Sequence, residues 1–432
     1  MADNKYEGSV YLFCYVDTLE EVMQVLCKKF GVGNDGKGNT LELHNGDIDL
    51  YVEVAALDMG EEAANFLGRQ KGAVCGHFAE VETEAVDVKT NLLLTIDRAR
   101  SCVAIVFSFD NNNVEQKLQM VCTPFFDSLS ELCAVMMVRG NQDYIYWVDE
   151  NGERKLILSE DGRSDLTKFL PRELPNEPIA KDIEPEQIER RTRSRKVLTE
   201  KGIYVPGFYP FIESSKEAQC RTPEEIAKRA IALMVVSLYS EALLGENMSV
   251  NEAWDFVSEF IERFDAKEFF SPEEWEYLHN PNSTEQERVG YSWQYENLFV
   301  CEWALGLKEP VDKKQGLAGL FSKKNKAENA EKRIELGFPD CICDVPLTVR
   351  LLKNYQSIAE ILEHANPRSS EELLDACDLI FCLDWACVET RIHGLPAPAG
   401  MDGGVVMERH KTLNWLVGAY ERADWDDVET NT

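Results

Sequence analysis

Ser292-Trp293-Gln294-Tyr295-Glu296-Asn297-Leu298-Phe299-Val300-Cys301-Glu302-Trp303-Ala304-Leu305-Gly306 sets the fold class of the larger part of this chain. Its bulky residues recur at helical spacing, not at the alternation of a strand. Trp293, Glu296, Asn297, Val300, Trp303 and Leu307 fall on one face. Glu296 therefore shares a face with two indoles. A carboxylate in such surroundings must be paired, protonated or engaged with a ligand, because desolvating it alone is costly.

Reading outward from this helix, residues 186–432 are almost entirely helical in pattern. Helices are expected over 223–244, 250–262, 272–279, 291–305, 346–364, 370–393 and 403–420. Thr222-Pro223-Glu224-Glu225 and Ser271-Pro272-Glu273-Glu274 each place a hydroxyl at the cap, Pro at the first helical position and Glu three residues on. Ser369-Ser370-Glu371-Glu372 does the same without Pro. These are capping boxes, which satisfy amides the helix itself leaves unbonded. Gly245, Gly306 and Gly394 stand where C-terminal caps belong. Seven of the eight tryptophans lie in this half.

Residues 1–170 read differently, as an α+β domain. Ser9–Val16 is strand-like, Leu19–Phe30 is an amphipathic helix, and Leu41–Leu43 with Ile48–Val54 flank Asn45-Gly46, a hairpin turn. A similar series follows. Val103–Phe109 is a strand, Asn111–Leu132 a helix that Pro124 should break or kink, and Ala134–Val138, Tyr144–Val148 and Lys155–Leu158 are further strands. A strand–helix–hairpin repeat, forming a sheet with covering helices, is the expectation. Asp87–Arg100 supplies a helix between the halves. Pro171, Pro175, Pro178 and Pro185 mark a Pro-rich linker over 171–185. The Lys-rich 311–335 segment, with Gly316-Leu317-Ala318-Gly319-Leu320-Phe321 inside it, reads as a solvated insertion.

The composition is that of a folded protein, and the length suits two or three domains. A net charge of −32 disfavours nucleic acid and anionic lipid and is compatible with a basic protein partner. No apolar run approaches the ~18 residues of a membrane span, so integral membrane association is not expected. Thirteen cysteines, an odd number without a framework, fit reduced thiols in a cytoplasmic protein. Oligomeric state is not legible.

Motifs for known chemistry are weak. Gly31-Val32-Gly33-Asn34-Asp35-Gly36-Lys37 has phosphate-loop spacing, but a helix precedes it and a strand follows, the reverse of what a phosphate cradle needs. Cys341-Ile342-Cys343 lacks a second pair at finger spacing. Cys377, Cys382 and Cys387 diverge around a helix. Glu389/His393 and Glu360/His364 are four apart and suit surface hydrogen bonds. No metal and no cofactor is therefore expected, and no nucleophile–base pair is readable.

The ordered set Arg221-Thr222-Pro223-Glu224-Glu225-Ile226-Ala227-Lys228-Arg229-Ala230, Trp293-Gln294-Tyr295-Glu296, Trp303-Ala304-Leu305-Gly306, Leu374-Asp375, Asp378-Leu379, Asp384-Trp385-Ala386, Glu408-Arg409-His410-Lys411-Thr412-Leu413-Asn414-Trp415-Leu416 and Trp425-Asp426-Asp427-Val428-Glu429-Thr430-Asn431-Thr432 resembles the bacterial domain-of-unknown-function family 4272. The resemblance runs over roughly residues 186–432. It implies a compact helical domain with no established activity. Residues 311–335 look like an insertion relative to the family pattern, and the resemblance does not extend to residues 1–170.

Arg221, Arg229, Trp293, Glu296, Trp303, Glu408, Arg409 and Asn414 are the candidate cleft or ion network. If structural, these charges set helix register, with Glu296 buried against Arg229 or Arg409. If functional, Glu296 or Glu408 is a base and Arg229 or Arg409 binds an anion. The favoured reading is a macromolecule-binding adaptor, regulatory or immunity-like protein. The alternative is an enzyme, a hydrolase for instance, working in a Glu/Arg/Trp-lined cleft.

Overall fold

The computed structural model describes residues 5–16, 18–31, 38–129, 132–148, 152–171, 183–207, 209–245, 248–308 and 332–432. The body of the Lys-rich segment, most of the Pro-rich linker and all of the glycine string but Gly31 lie outside these residues. The chain divides into two compact units. One comprises Met1–Ile179 with Thr199–Tyr209, the other Ala180–Leu198 with Pro210–Thr432.

The first unit is a seven-stranded antiparallel sheet. Its elements are β1 (Lys5–Cys14), α1 (Leu19–Phe30), β2 (Thr40–Asn45), β3 (Ile48–Ala56), α2 (Glu61–Ala79), α3 (Val86–Asp97), β4 (Ser101–Asp110), α4 (Val114–Leu129), β5 (Cys133–Arg139), β6 (Tyr144–Val148) and β7 (Arg154–Ser159). The order across the sheet is β2-β3-β4-β1-β5-β6-β7. Strand, helix and hairpin occur twice, and the two sets interleave. β1 pairs with β4 from Lys5↔Asp110 to Cys14↔Ser101, and each hairpin docks on the first strand of the other set, β3 on β4 and β5 on β1.

Alternation along the strands puts Val10, Leu12, Val52, Val103 and Ile105 on one face. There they join Val22 and Leu26 of α1 and Val121 and Phe125 of α4 in one core. Pro124 lies inside α4 and does not end it. Proline forfeits one hydrogen bond of the helix, while Val121, Phe125 and Phe126 keep the face seated in the core. α2 and α3 pack on each other and on β3, β5 and β7. α2 escapes apolar periodicity because its EEAANFLGRQKGAVCGHFA carries three glycines and only three buried residues, Leu67, Val74 and Phe78.

The second unit is helical: α5 (Pro185–Lys201, whose last turn belongs to the first unit), α6 (Pro223–Leu244), α7 (Val250–Phe264), α8 (Pro272–Leu278), α9 (Glu285–Ser292), α10 (Gln294–Ala304), α11 (Val345–Leu352), α12 (Ile358–His364), α13 (Ser370–Ile392) and α14 (Gly403–Val417). α6 is buried nearly all round, as its unbroken Ala230–Val236 apolar run requires. α7, α9, α10 and α12 pack around it, and α10 also packs on α14, which pairs with α13. The capping boxes at Thr222, Ser271 and Ser369 are formed, and Ser249 and Thr284 supply two more.

Two expectations are corrected. The 346–364 stretch is two helices, because Ser357 caps a new start by accepting from the Glu360 N–H. Gly245 is the C-cap of α6 as expected, with φ −71, while Gly306 and Gly394 are left-handed. α14 stops at Val417. Gly418 turns left-handed there, and a side chain on it would meet the Gln219 carbonyl at 2.4 Å. Tyr420, Glu421 and Arg422 continue with φ 56, 58 and 63. A left-handed turn costs L residues about 1–2 kcal/mol each.

Candidate functional site

α10 starts abruptly. α9 ends at Ser292, Trp293 stands between the two helices with φ −65 and ψ −16, and Glu296 lies in the first turn of α10. Glu296 is 2% exposed. Its Oε2 accepts from the Nε of Arg409 at 3.1 Å, and its Oε1 accepts from the Cys343 N–H. Arg409, also buried, donates through Nη1 to the Leu336 carbonyl at 2.8 Å and lies 5.5 Å from the Phe299 ring. The carboxylate thus ties together α10, α14 and the 336–343 loop.

An open groove of about 790 Å³ adjoins this pair. Leu238, Leu244, Trp293, Ile342, Val345 and Val349 make its apolar walls; Glu241 and Lys353 also line it. Within it the Tyr295 hydroxyl donates to Glu241 Oε2 at 2.5 Å. Burial, then Glu241, pushes the Tyr295 hydroxyl far above its ordinary range. Burial, followed by the Glu296 charge, does the same to the Cys343 thiol. Both groups are held protonated, so neither is a ready nucleophile.

The other candidates fall into separate groups. Arg229 pairs with Glu274 on α8 and lies 4.8 Å over Trp425. Arg221 stacks on Trp415 at 4.8 Å and donates to the carbonyls of Trp415 and Ala423. Glu408 accepts from Asn297 Nδ2 at 2.6 Å, and burial raises its carboxyl above the usual range against the opposing effects of Asn297 and Lys411. Trp303 is covered by Arg368 at 4.5 Å. Asn414 donates to the Glu429 carbonyl at 2.9 Å and accepts from the Cys377 thiol. Glu296 and Arg409 are brought together; Arg221 and Arg229 serve a different face of the unit.

Three buried constellations have no counterpart in the sequence reading. His410 Nδ1 and Asp384 Oδ2 are 2.7 Å apart across α14 and α13, and His410 Nε2 has no partner among the described residues. Asp378 accepts from Arg191 Nη2 at 2.9 Å and from Ser194 Oγ at 2.6 Å. Glu302 is fully buried, neither oxygen has a partner among the described residues, and desolvation holds its carboxyl well above 4.5. Asp378 and Asp384 lie in the motifs quoted above, but their partners are 187 and 26 residues away, beyond any local spacing rule. Glu389 and His393 touch at 3.3 Å near the surface. No group of three or more His, Cys, Asp or Glu among the described residues is arranged to hold a metal ion. No described helix is long and apolar enough to cross a membrane.

This geometry defines a class: a helical domain pinned by buried Arg–carboxylate pairs and carrying an apolar groove beside one of them. The chain belongs to the family described as a domain of unknown function, DUF4272, which matches residues 190–321 and 330–428. No curated protein and no solved structure matches the chain.

Proposed function

We propose that the helical unit is a protein-binding module of adaptor or regulatory type, whose groove beside Glu296 takes an apolar segment of a partner carried on a basic surface. The observation that carries this reading is the groove itself. Its walls are apolar, its volume of about 790 Å³ suits several side chains, and Ile342 stands 59% exposed at its edge. Glu296 spends both oxygens on holding the fold, so it supports the groove without offering a free base. The net charge of −32 favours a basic partner and steers its approach.

A photo-crosslinking residue at position 342, with one at exposed position 392 as control, tests this in cells. A discrete protein adduct at 342, absent at 392 and abolished by Val349→Arg, is the expected result. Adducts of equal yield at both positions, or none at 342, would overturn it.

A further inference from the structure

We propose that residues 423–432 are a displaceable strap, occupying in cis a trough that binds a tryptophan-anchored segment. This surface is separate from the groove beside Glu296 and does not depend on that reading. The trough lies along α6, α8 and α14. Trp425 is its occupant, 5% exposed although the strap has only a short 3-10 turn as regular structure. The Arg229 guanidinium lies 4.8 Å and the Lys411 ammonium 4.9 Å from the indole centre, and Trp415 meets it edge-on at 5.8 Å. Cations on an indole face, with an aromatic edge, make a socket that favours tryptophan.

Two cavities, of about 360 and 280 Å³, flank the strap, and both are lined by Trp425 and Asp426. The strap therefore divides one continuous trough. Other holds add to this, among them a hydrogen bond between the Tyr420 hydroxyl and the Asn431 backbone. Asp426 accepts from the Glu273 N–H at 3.1 Å, the Glu429 carbonyl accepts from Asn414 at 2.9 Å, and Val428 is buried. Asp427 and Glu429 are exposed. Glu225 and Glu274 are taken up by Arg422 and Arg229, and Glu268, Glu273 and Glu287 also line the two cavities, so the indole and not the strap's charge is what the trough selects.

The strap springs from the left-handed turn. Arg422 N–H donates to the Gly418 carbonyl at 3.0 Å and Ala423 N–H to the Ala419 carbonyl at 3.3 Å, with Arg221 gripping the Ala423 carbonyl at 2.6 Å. Three consecutive non-glycine residues in this conformation are strained. A segment of the same chemistry, supplied by a second copy of this chain, then has a seat to enter.

The test uses the full chain and a variant ending at Arg422, with a labelled peptide of residues 423–432. The shortened protein should bind the peptide, a Trp425→Ala peptide should bind at least tenfold more weakly, and the intact protein should bind little of either. Hydrogen exchange on the intact protein supplies a reading that does not need the variant to fold. Strap amides should exchange together at least a hundredfold faster than those of α14, and Trp425→Ala should speed the strap while leaving α14 unchanged. A folded shortened protein that binds no peptide overturns the proposal, as does a strap that exchanges at the rate of α14.

Discussion

Glu296 and Arg409 meet at 3.1 Å across α10 and α14, both almost wholly withdrawn from water, and the Cys343 N–H takes the second carboxylate oxygen. Removing one partner of such a pair leaves a buried charge uncompensated. Glu296→Gln should destabilise the protein by about 1–4 kcal/mol, read as a lowered urea midpoint with an unchanged slope. Unchanged stability would mean that the guanidinium finds another acceptor as good.

Arg191 is the stricter case. It donates to Asp378 through both Nε and Nη2, and that carboxylate also takes the Ser194 hydroxyl. Arg191→Met should cost about 3–5 kcal/mol. Asp378→Asn in the same background should recover part of it, since a neutral amide removes the orphaned charge. A double variant as unstable as the single would show the loss to be one of packing.

Glu302 gives a pH signature. Its folded-state carboxyl is held well above 4.5 by burial, so the folded protein keeps a proton that the unfolded chain releases. Its contribution is full below about pH 4.5 and declines as pH rises toward the folded value, by up to ~1.4 kcal/mol per pH unit. Glu302→Gln should flatten this decline and match or exceed the parent stability at pH 8. Urea unfolding at pH 5.5 and 8 decides it; a steeper decline in the variant would refute it.

The Thr222 cap tests local design. Its hydroxyl accepts from the Glu225 N–H, and the Glu225 carboxylate accepts from the Thr222 N–H. Thr222→Ala should cost about 1 kcal/mol, measured by thermal unfolding, with helical content otherwise kept.

The helical half is expected to fold alone, since it carries its own caps and aromatic core. A fragment of residues 180–432 should give a helical circular dichroism spectrum and a cooperative melt. A disordered spectrum would show that residues 1–179 are required.

What could be read from the chain depended on the range of the interaction. α1 lies over Leu19–Phe30 as its period indicates, and the capping boxes are formed, because these features depend on residues three or four apart. α5 was not legible: it is strongly polar, and its buried side chains include Arg190 and Arg191, which apolar periodicity cannot register. The break between α9 and α10 at Trp293 was equally hidden, since the apolar phase runs on through it.

The sequence by itself determined the two kinds of architecture, sheet with helices followed by helices alone, because local propensity and binary pattern act along the chain. It also marked Glu296 as a carboxylate needing an explanation. Only the tertiary structure decided that Arg409, not Arg229, supplies it, that His410 meets Asp384, and that Trp425 lies under Arg229. Charges choose partners by distance in space, and a burial that excludes water makes that choice strong. No spacing rule along the chain encodes which helices cross there.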